Sequence, residues 1–244
     1  MRRRDKRPGK IKGMQAPLMR FSLSATLSIL VTYIFTVNQT LDLFAAPGSL
    51  EAIPLPDAEI SFARAFYPAD MAAQYMDTLL NDTDWRQEKI QVWGKEHWQP
   101  RLTAWHGDVG SNYSYSGLTL ERQPWTPALQ KIKDDVEAIS GHRFNSVLLN
   151  LYRDENDSVG WHSDNEAELG RNPVIASVSF GQTRSFKLKH RNRPELKTTS
   201  IQLTNGSLLL MAGTTQRFWQ HAVDKERRHM EPRINLTFRR IAGW

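Results

Sequence analysis

The stretch Asn150–Glu166 reads NLYRDENDSVGWHSDNE and carries His162-Ser163-Asp164 near its end. Along an extended segment side chains alternate between faces, so His162 and Asp164 point the same way. A neutral imidazole beside a carboxylate is the beginning of a metal site. Two protein ligands hold a metal poorly, and a third is expected from elsewhere in the chain. His97, His106 and His142 read as loop or helix-end residues, while His190 and His229 sit in basic runs. His221, in Trp219-Gln220-His221, falls at the edge of a late strand and is the best candidate. Two histidines and one carboxylate form a facial triad with open positions, the donor set of non-haem Fe(II). Zn²⁺ takes the same donors, so a zinc hydrolase stays open at this point, as does a non-catalytic binding module.

Around this stretch the chain reads as strands. Phe144–Tyr152, Val174–Phe180, Ser185–Lys189, Ser200–Leu203, Ser207–Met211 and Ile234–Arg239 are short apolar runs. Gly181, Asn205-Gly206 and Ala212-Gly213 punctuate them. Many short strands between turn residues suggest a sandwich, jelly roll or barrel. Helices come earlier. Pro68–Leu80 places Met71, Tyr75, Leu79 and Leu80 on one side. Trp125-Thr126-Pro127 opens a second helix, with Thr126 as N-cap, Pro127 at the first helical position and Gly141 at the end. The fold class is therefore mostly β with N-terminal helices, α+β. Between the helices, Ile90–Lys95 is strand-like with Trp93 beside Gly94, and Asn112–Leu120 (NYSYSGLTL) puts Tyr113 and Tyr115 on one face.

The 244 residues contain no cysteine, which excludes disulfides and thiolate ligands; any metal is held by nitrogen and oxygen. The net charge of +6 is unevenly spread. Residues 1–39 carry eight Lys/Arg and one Asp, whereas the remainder carries 24 basic and 25 acidic side chains. A nucleic-acid partner would thus have to be met by local patches. Candidates are Arg184–Arg193 and Lys225–Arg228, both also explained as solvated hairpin tips. Phe21–Val37, an apolar run of 17 residues holding six Ser/Thr, follows a basic flank and resembles a signal anchor. It is short for a span. The expectation is a leader over 1–40, either signal-anchor-like or not translated, and a functional domain from about residue 41 onward.

Arg233-Ile234-Asn235-Leu236-Thr237-Phe238-Arg239 alternates strictly. Arg233, Asn235, Thr237 and Arg239 share one face. In a late strand of a barrel both faces are covered, and two inward arginines need anionic partners. A small dicarboxylate satisfies both. Asn150 and Tyr152, also two apart, are placed to add hydrogen bonds from a neighbouring strand.

The motifs H-x-D…H and R-x-N-x-T-x-R resemble those of the AlkB family of Fe(II)/2-oxoglutarate dioxygenases. The resemblance covers about residues 54–241 and is most specific in FNSVLLNLYRDENDSVGWHSDNE, IASVSFG and HAVDKERRHMEPRINLTFRR. It implies a double-stranded β-helix (jelly-roll) core over 144–244, preceded at 41–143 by a nucleotide-recognition lid and support helices. It implies Fe(II) on His162, Asp164 and His221, with O₂ as co-reactant. Contacts to 2-oxoglutarate would come from Asn150, Tyr152, Arg233, Asn235, Thr237 and Arg239. The reaction implied is hydroxylation of an N-methyl group on a base such as 1-methyladenine or 3-methylcytosine, coupled to decarboxylation to succinate and CO₂, with release of formaldehyde. Methylated DNA is the partner, with RNA or protein as the alternative substrate.

By the same resemblance, Trp93, Arg101, Tyr113, Tyr115, Ser116 and Glu166 contact that substrate. Trp93 would enter the duplex as a wedge, Arg101 would hold a phosphate, the tyrosines would line the flipped-base pocket, and Glu166 would read a base edge. Asn165 stands where a second acid is common in the family. The protein is expected to be a monomer, cytoplasmic and nucleoid-associated in a bacterial cell, with membrane attachment only through the leader.

Overall fold

The computed structural model describes residues 48–92, 94–109, 114–115, 118–119 and 121–241. The leader over 1–40, Trp93, Tyr113, Ser116 and the Tyr115 side chain lie outside what is described. No helix among the described residues is long and apolar enough to cross a membrane.

Strands β1 (Glu51–Ile53) and β2 (Glu59–Ala63) pair antiparallel, joined by the short connector 54–58. Helix α1 (Ala69–Asp82) follows Pro68 and buries Ala72 and Leu79. β3 (Lys89–Val92) and β4 (Lys95–Trp98) form a hairpin whose Gly94 has φ 76, a left-handed conformation open to glycine. β5 (Leu102–Gly107) comes next. β6 (Ser114–Tyr115) pairs with β7 (Leu118–Thr119), so the tyrosine-rich stretch is a second hairpin rather than one strand.

Helix α2 (Pro127–Ser140) is fixed at both ends by the residues expected to do so. The Thr126 hydroxyl accepts from the Leu129 N–H at 3.2 Å, and Gly141, at φ 71, donates its N–H to the Glu137 carbonyl. Thr126→Ala leaves that N–H without its partner and should cost about 1 kcal/mol, read as a lower urea midpoint. An unchanged midpoint would mean that tertiary packing alone holds the helix end.

From residue 146 the chain alternates between two sheets. β8 (Ser146–Tyr152) joins the large sheet, β9 (Val159–His162) the small one and β10 (Ile175–Gly181) the large one. β11 (Arg184–His190) and β12 (Thr199–Leu203) join the small sheet, and β13 (Ser207–Ala212) the large one. After the single turn α3 (Thr215–Phe218), β14 (Trp219–Val223) returns to the small sheet and β15 (Arg233–Arg239) to the large. The orders are β1-β2-β13-β10-β15-β8-β5 and β12-β11-β14-β9. This winding is the expected jelly roll. β1, β2 and β5 widen the large sheet, and the sequence pattern did not reveal them.

Both faces of the large sheet are covered. Ile234, Leu236 and Phe238 pack with Leu129, Ile132 and Val136 of α2 and Leu79 of α1. The other face of β15 looks toward the small sheet, where Phe186, Leu188, Trp219 and Val223 cluster with Leu148 and Tyr152. Coverage on both sides also removes alternation from β5, which is buried from Thr103 to Gly107. His106, read as a loop or helix-end residue, therefore lies in β5, while His97, read likewise, lies in the exposed strand β4.

His106 is buried, and its Nδ1 donates to the Pro124 carbonyl at 2.7 Å. Its Nε2 meets no partner among the described residues, and burial holds the pKa below the ordinary histidine value. The unfolded imidazole takes a proton near pH 6.5 and the folded one resists it. The stability that follows is complete above that pH and is lost as pH falls below it. His106→Gln should make unfolding by urea less pH-dependent between neutral pH and pH 5, in the metal-loaded protein. Superimposable pH profiles for the two proteins would remove His106 from the account.

Candidate active site

The small sheet brings the three candidate ligands together. His162 ends β9 and is the register partner of His221, which, expected at the edge of a late strand, lies at the middle of β14, between β11 and β9. The two rings stand 4.2 Å apart at their centroids. Asp164 follows one residue beyond Ser163 and is held at its backbone N–H by Gln216 Oε1 at 2.9 Å. One ligand atom from each of His162, Asp164 and His221 lies within 4.8 Å of the others, a spacing that a single ion spans.

The protonation states suit a cation. His162 Nδ1 lies 2.8 Å from the Gly160 carbonyl, which makes it the N–H tautomer and leaves Nε2 bare for a metal. Burial, and then the neighbouring His162, push the His221 pKa down to about 3. Burial also lowers that of His162. Burial opposes ionisation of Asp164, but Arg239 and the two histidines together hold its pKa at about 2. Arg239 Nη2 donates to Asp164 Oδ1 at 2.5 Å, which orients the carboxylate. At neutral pH the set is thus two neutral imidazoles and one carboxylate.

Beside the triad a cavity is lined by Asn150, Tyr152, Asn235, Thr237, Arg233 and Arg239 together with His162, Asp164 and His221. The pairing of β15 with β8 sets Arg233 opposite Tyr152 and Asn235 opposite Asn150. The six residues expected to contact a dicarboxylate therefore share one cavity with the three expected ligands. Arg233 is 1% exposed; its Nη2 donates to Ser179 Oγ at 2.9 Å. Its Nε and Nη1 have no partner among the described residues. Burial brings its pKa down to about 10, so it still carries its charge at neutral pH. A buried guanidinium with two spare N–H groups fits a carboxylate in bidentate geometry. Asn235 is spent internally, donating to Ser177 Oγ at 2.7 Å and accepting from Thr237 Oγ1 at 2.9 Å.

Two arginines are not where the sequence put them. Arg101, expected on a phosphate, is 4% exposed and lines the same cavity, with Nε donating to Asn150 Oδ1 at 2.7 Å. Its position before the doubly covered strand β5 draws it inside. Arg184, read as part of a basic run that either contacts phosphates or is a solvated hairpin tip, is 1% exposed. It shares the inward parity of Phe186, Leu188 and His190 along β11, a signal that its charge masked. Arg191, Arg193, Lys197, Lys225, Arg227 and Arg228 are exposed. Glu166 is half-buried, and its Oε2 has no partner among the described residues. Ser177 and Ser179 escaped notice, although their spacing in β10 puts both on the face that meets Asn235 and Arg233.

A jelly roll whose small sheet presents two histidines and a carboxylate, next to a buried arginine able to take a carboxylate, defines an iron- and 2-oxo-acid-dependent oxygenase architecture. Residues 59–239 match the 2OG-Fe(II) oxygenase superfamily, and the chain belongs to that superfamily and, within it, to the AlkB family. It is 46% identical over 174 residues to alpha-ketoglutarate-dependent dioxygenase alkB homolog 3 of Homo sapiens, a match covering 68% of this chain and 60% of that protein. It is 42% identical over 159 residues to DNA oxidative demethylase ALKBH2 of Bos taurus, covering 63% of this chain and 57% of that protein. The chain thus spans less than two thirds of either relative. The solved structure of OsALKBH1 superposes with a TM-score of 0.53 at 16% identity, covering 79% of this chain and all of the other, which is a likeness of fold. The cofactors of the family are Fe(II), 2-oxoglutarate and O₂.

Proposed function

We propose that the protein removes N-methyl groups oxidatively from nucleic-acid bases, with 1-methyladenine and 3-methylcytosine in DNA as substrates. The observation that carries the oxygenase half of this reading is Arg233. A hydrolytic zinc site has no use for a buried guanidinium with two spare N–H groups in the cavity of its metal. The nucleic-acid half is supported by the similarity to proteins named as DNA oxidative demethylases. It is supported further by the exposed arginines and lysines of the β11–β12 connection and the stretch after β14.

In this reading His162, Asp164 and His221 hold Fe(II), and Arg233 fixes the far carboxylate of 2-oxoglutarate. Bound Fe(II) and 2-oxoglutarate would let O₂ act as the oxidant, with 2-oxoglutarate oxidised to succinate and CO₂ as the methyl group is hydroxylated. The residues of this chain orient and exclude. Arg239 keeps Asp164 ionised and aimed at the metal position. Leu148, Phe186, Leu203, Met211 and Val223 line the cavity with apolar surface and limit water. Glu166, two residues beyond Asp164, would accept from an exocyclic amino group, a reading supported by its buried oxygen, which has no partner among the described residues. We take the protein to act as a monomer, in the compartment where its nucleic acid lies.

The test is an assay of succinate and formaldehyde on single- and double-stranded oligonucleotides carrying either lesion. Equimolar formaldehyde and succinate, each requiring both Fe(II) and 2-oxoglutarate, is the expected result. Succinate without formaldehyde from any oligonucleotide, DNA or RNA, would move the substrate to protein. Turnover supported by zinc alone would end the oxygenase reading.

A further inference from the structure

Arg184 belongs to no ligand set, yet it is among the most deeply buried charges in the molecule. Its Nη1 donates to the Asp154 carbonyl at 3.2 Å, and its Nη2 to those of Asp157 at 2.9 Å and Asp224 at 2.6 Å. Asp154 and Asp157 lie in the loop joining β8 to β9, that is, Asn150 and Tyr152 to His162. Asp224 begins the loop joining β14 to β15, that is, His221 to Arg233. One guanidinium therefore ties together the two connectors between all the strands that carry the site. The loops also bond directly, Glu226 N to the Glu155 carbonyl at 2.9 Å, which makes them one rim.

The same group faces the cosubstrate side. The Arg184 guanidinium carbon is 5.6 Å from the centroid of the Tyr152 ring, and that of Arg233 is 5.1 Å from the same ring. Neutral carbonyls take its hydrogen bonds. Among the described residues two carboxylates act on it: Glu226, partly exposed and 4.0 Å from Nε, and the buried Asp157, which is already paired with Arg153. The charge of Arg184 is thus only partly offset, and it acts on Arg233 across the Tyr152 ring that both guanidinium groups approach.

We infer that Arg184 is a positioning residue for the dianionic 2-oxo acid: it sets Tyr152 and the loop rim against Arg233 and adds positive field to the cavity, without touching the ligand. The inference rests on the reading of that cavity as the 2-oxoglutarate site. A lysine at 184 retains a charge but cannot bridge three carbonyls on two loops.

The experiment is calorimetric binding of 2-oxoglutarate to the full chain loaded with Mn(II), which separates binding from turnover. Arg184→Lys should weaken 2-oxoglutarate binding about tenfold, the loss of a charged hydrogen-bond network, while Mn(II) affinity without 2-oxoglutarate stays as in wild type. Glu226→Gln should act the other way, tightening 2-oxoglutarate about twofold at low salt as a partly screened charge is removed, an effect that a purely structural arginine would not produce. Unchanged 2-oxoglutarate affinity in a folded Arg184→Lys overturns the inference. Where that variant does not fold, unchanged affinity in Glu226→Gln overturns it instead. Failure of the Mn(II)-loaded wild type to bind 2-oxoglutarate overturns the cosubstrate reading itself, and this inference with it.

Discussion

Asp164→Ala should abolish turnover and reduce metal affinity by at least about a hundredfold, beyond the loss typical of an outer-shell partner. Asp164 is the one anionic member of the triad, 1% exposed and 3.7 Å from His221 Nε2. Without it two neutral imidazoles remain, a set that holds a divalent ion weakly. The same change takes a carboxylate from the buried Arg239, so the melting temperature falls as well. Asp164→Asn keeps the shape and removes only the charge, and it separates the two effects: metal affinity still collapses while the fold is better kept. His162→Ala and His221→Ala should lose turnover to the same degree. Near-wild-type demethylation at micromolar Fe(II) in any of these variants would show that the triad is misassigned.

Arg233→Ala should raise the 2-oxoglutarate requirement tenfold to about a hundredfold, the worth of a charge-assisted hydrogen bond of roughly 1.5–3 kcal/mol. Affinity for a methylated oligonucleotide should hardly change, because Arg233 is 1% exposed and lines the cavity rather than the surface. Arg233→Lys should recover only part of the loss, since an ammonium cannot reproduce both Nε and Nη1 donors toward one carboxylate. Apparent KM for 2-oxoglutarate and direct binding on Mn(II) provide the two readouts. A variant whose oligonucleotide affinity falls while its 2-oxoglutarate KM stays constant would transfer Arg233 to substrate contact.

Several elements were legible because local chemistry fixed them. Thr126, Pro127 and Gly141 each impose a backbone conformation or offer a hydrogen bond at a helix end, and α2 runs between them. β15 was legible because its two faces differ absolutely in polarity. Other elements were not legible, for equally physical reasons. β5 is buried on both faces, so no alternation marked it as a strand. β9 has four residues, one of them glycine, too short for any periodic signal. The stretch around Tyr115 alternates as one strand would, yet pairs with itself as a hairpin.

By itself the sequence determined the ligand types, the polar face of β15, the absence of thiolate chemistry and the mostly β character of the chain. Parity along strands fixes which side chains travel together, and that much needs no partner strand. The tertiary structure decided which arginines are inside. Arg101 and Arg184 carry the same charge as their exposed neighbours, and only the closing of the small sheet over the large one shows that they are buried. It also decided the triad's third corner. His162 and His221 are 59 positions apart in sequence, and the register of β14 against β9 makes them neighbours. Side-chain chemistry is local, whereas burial and register are properties of paired strands.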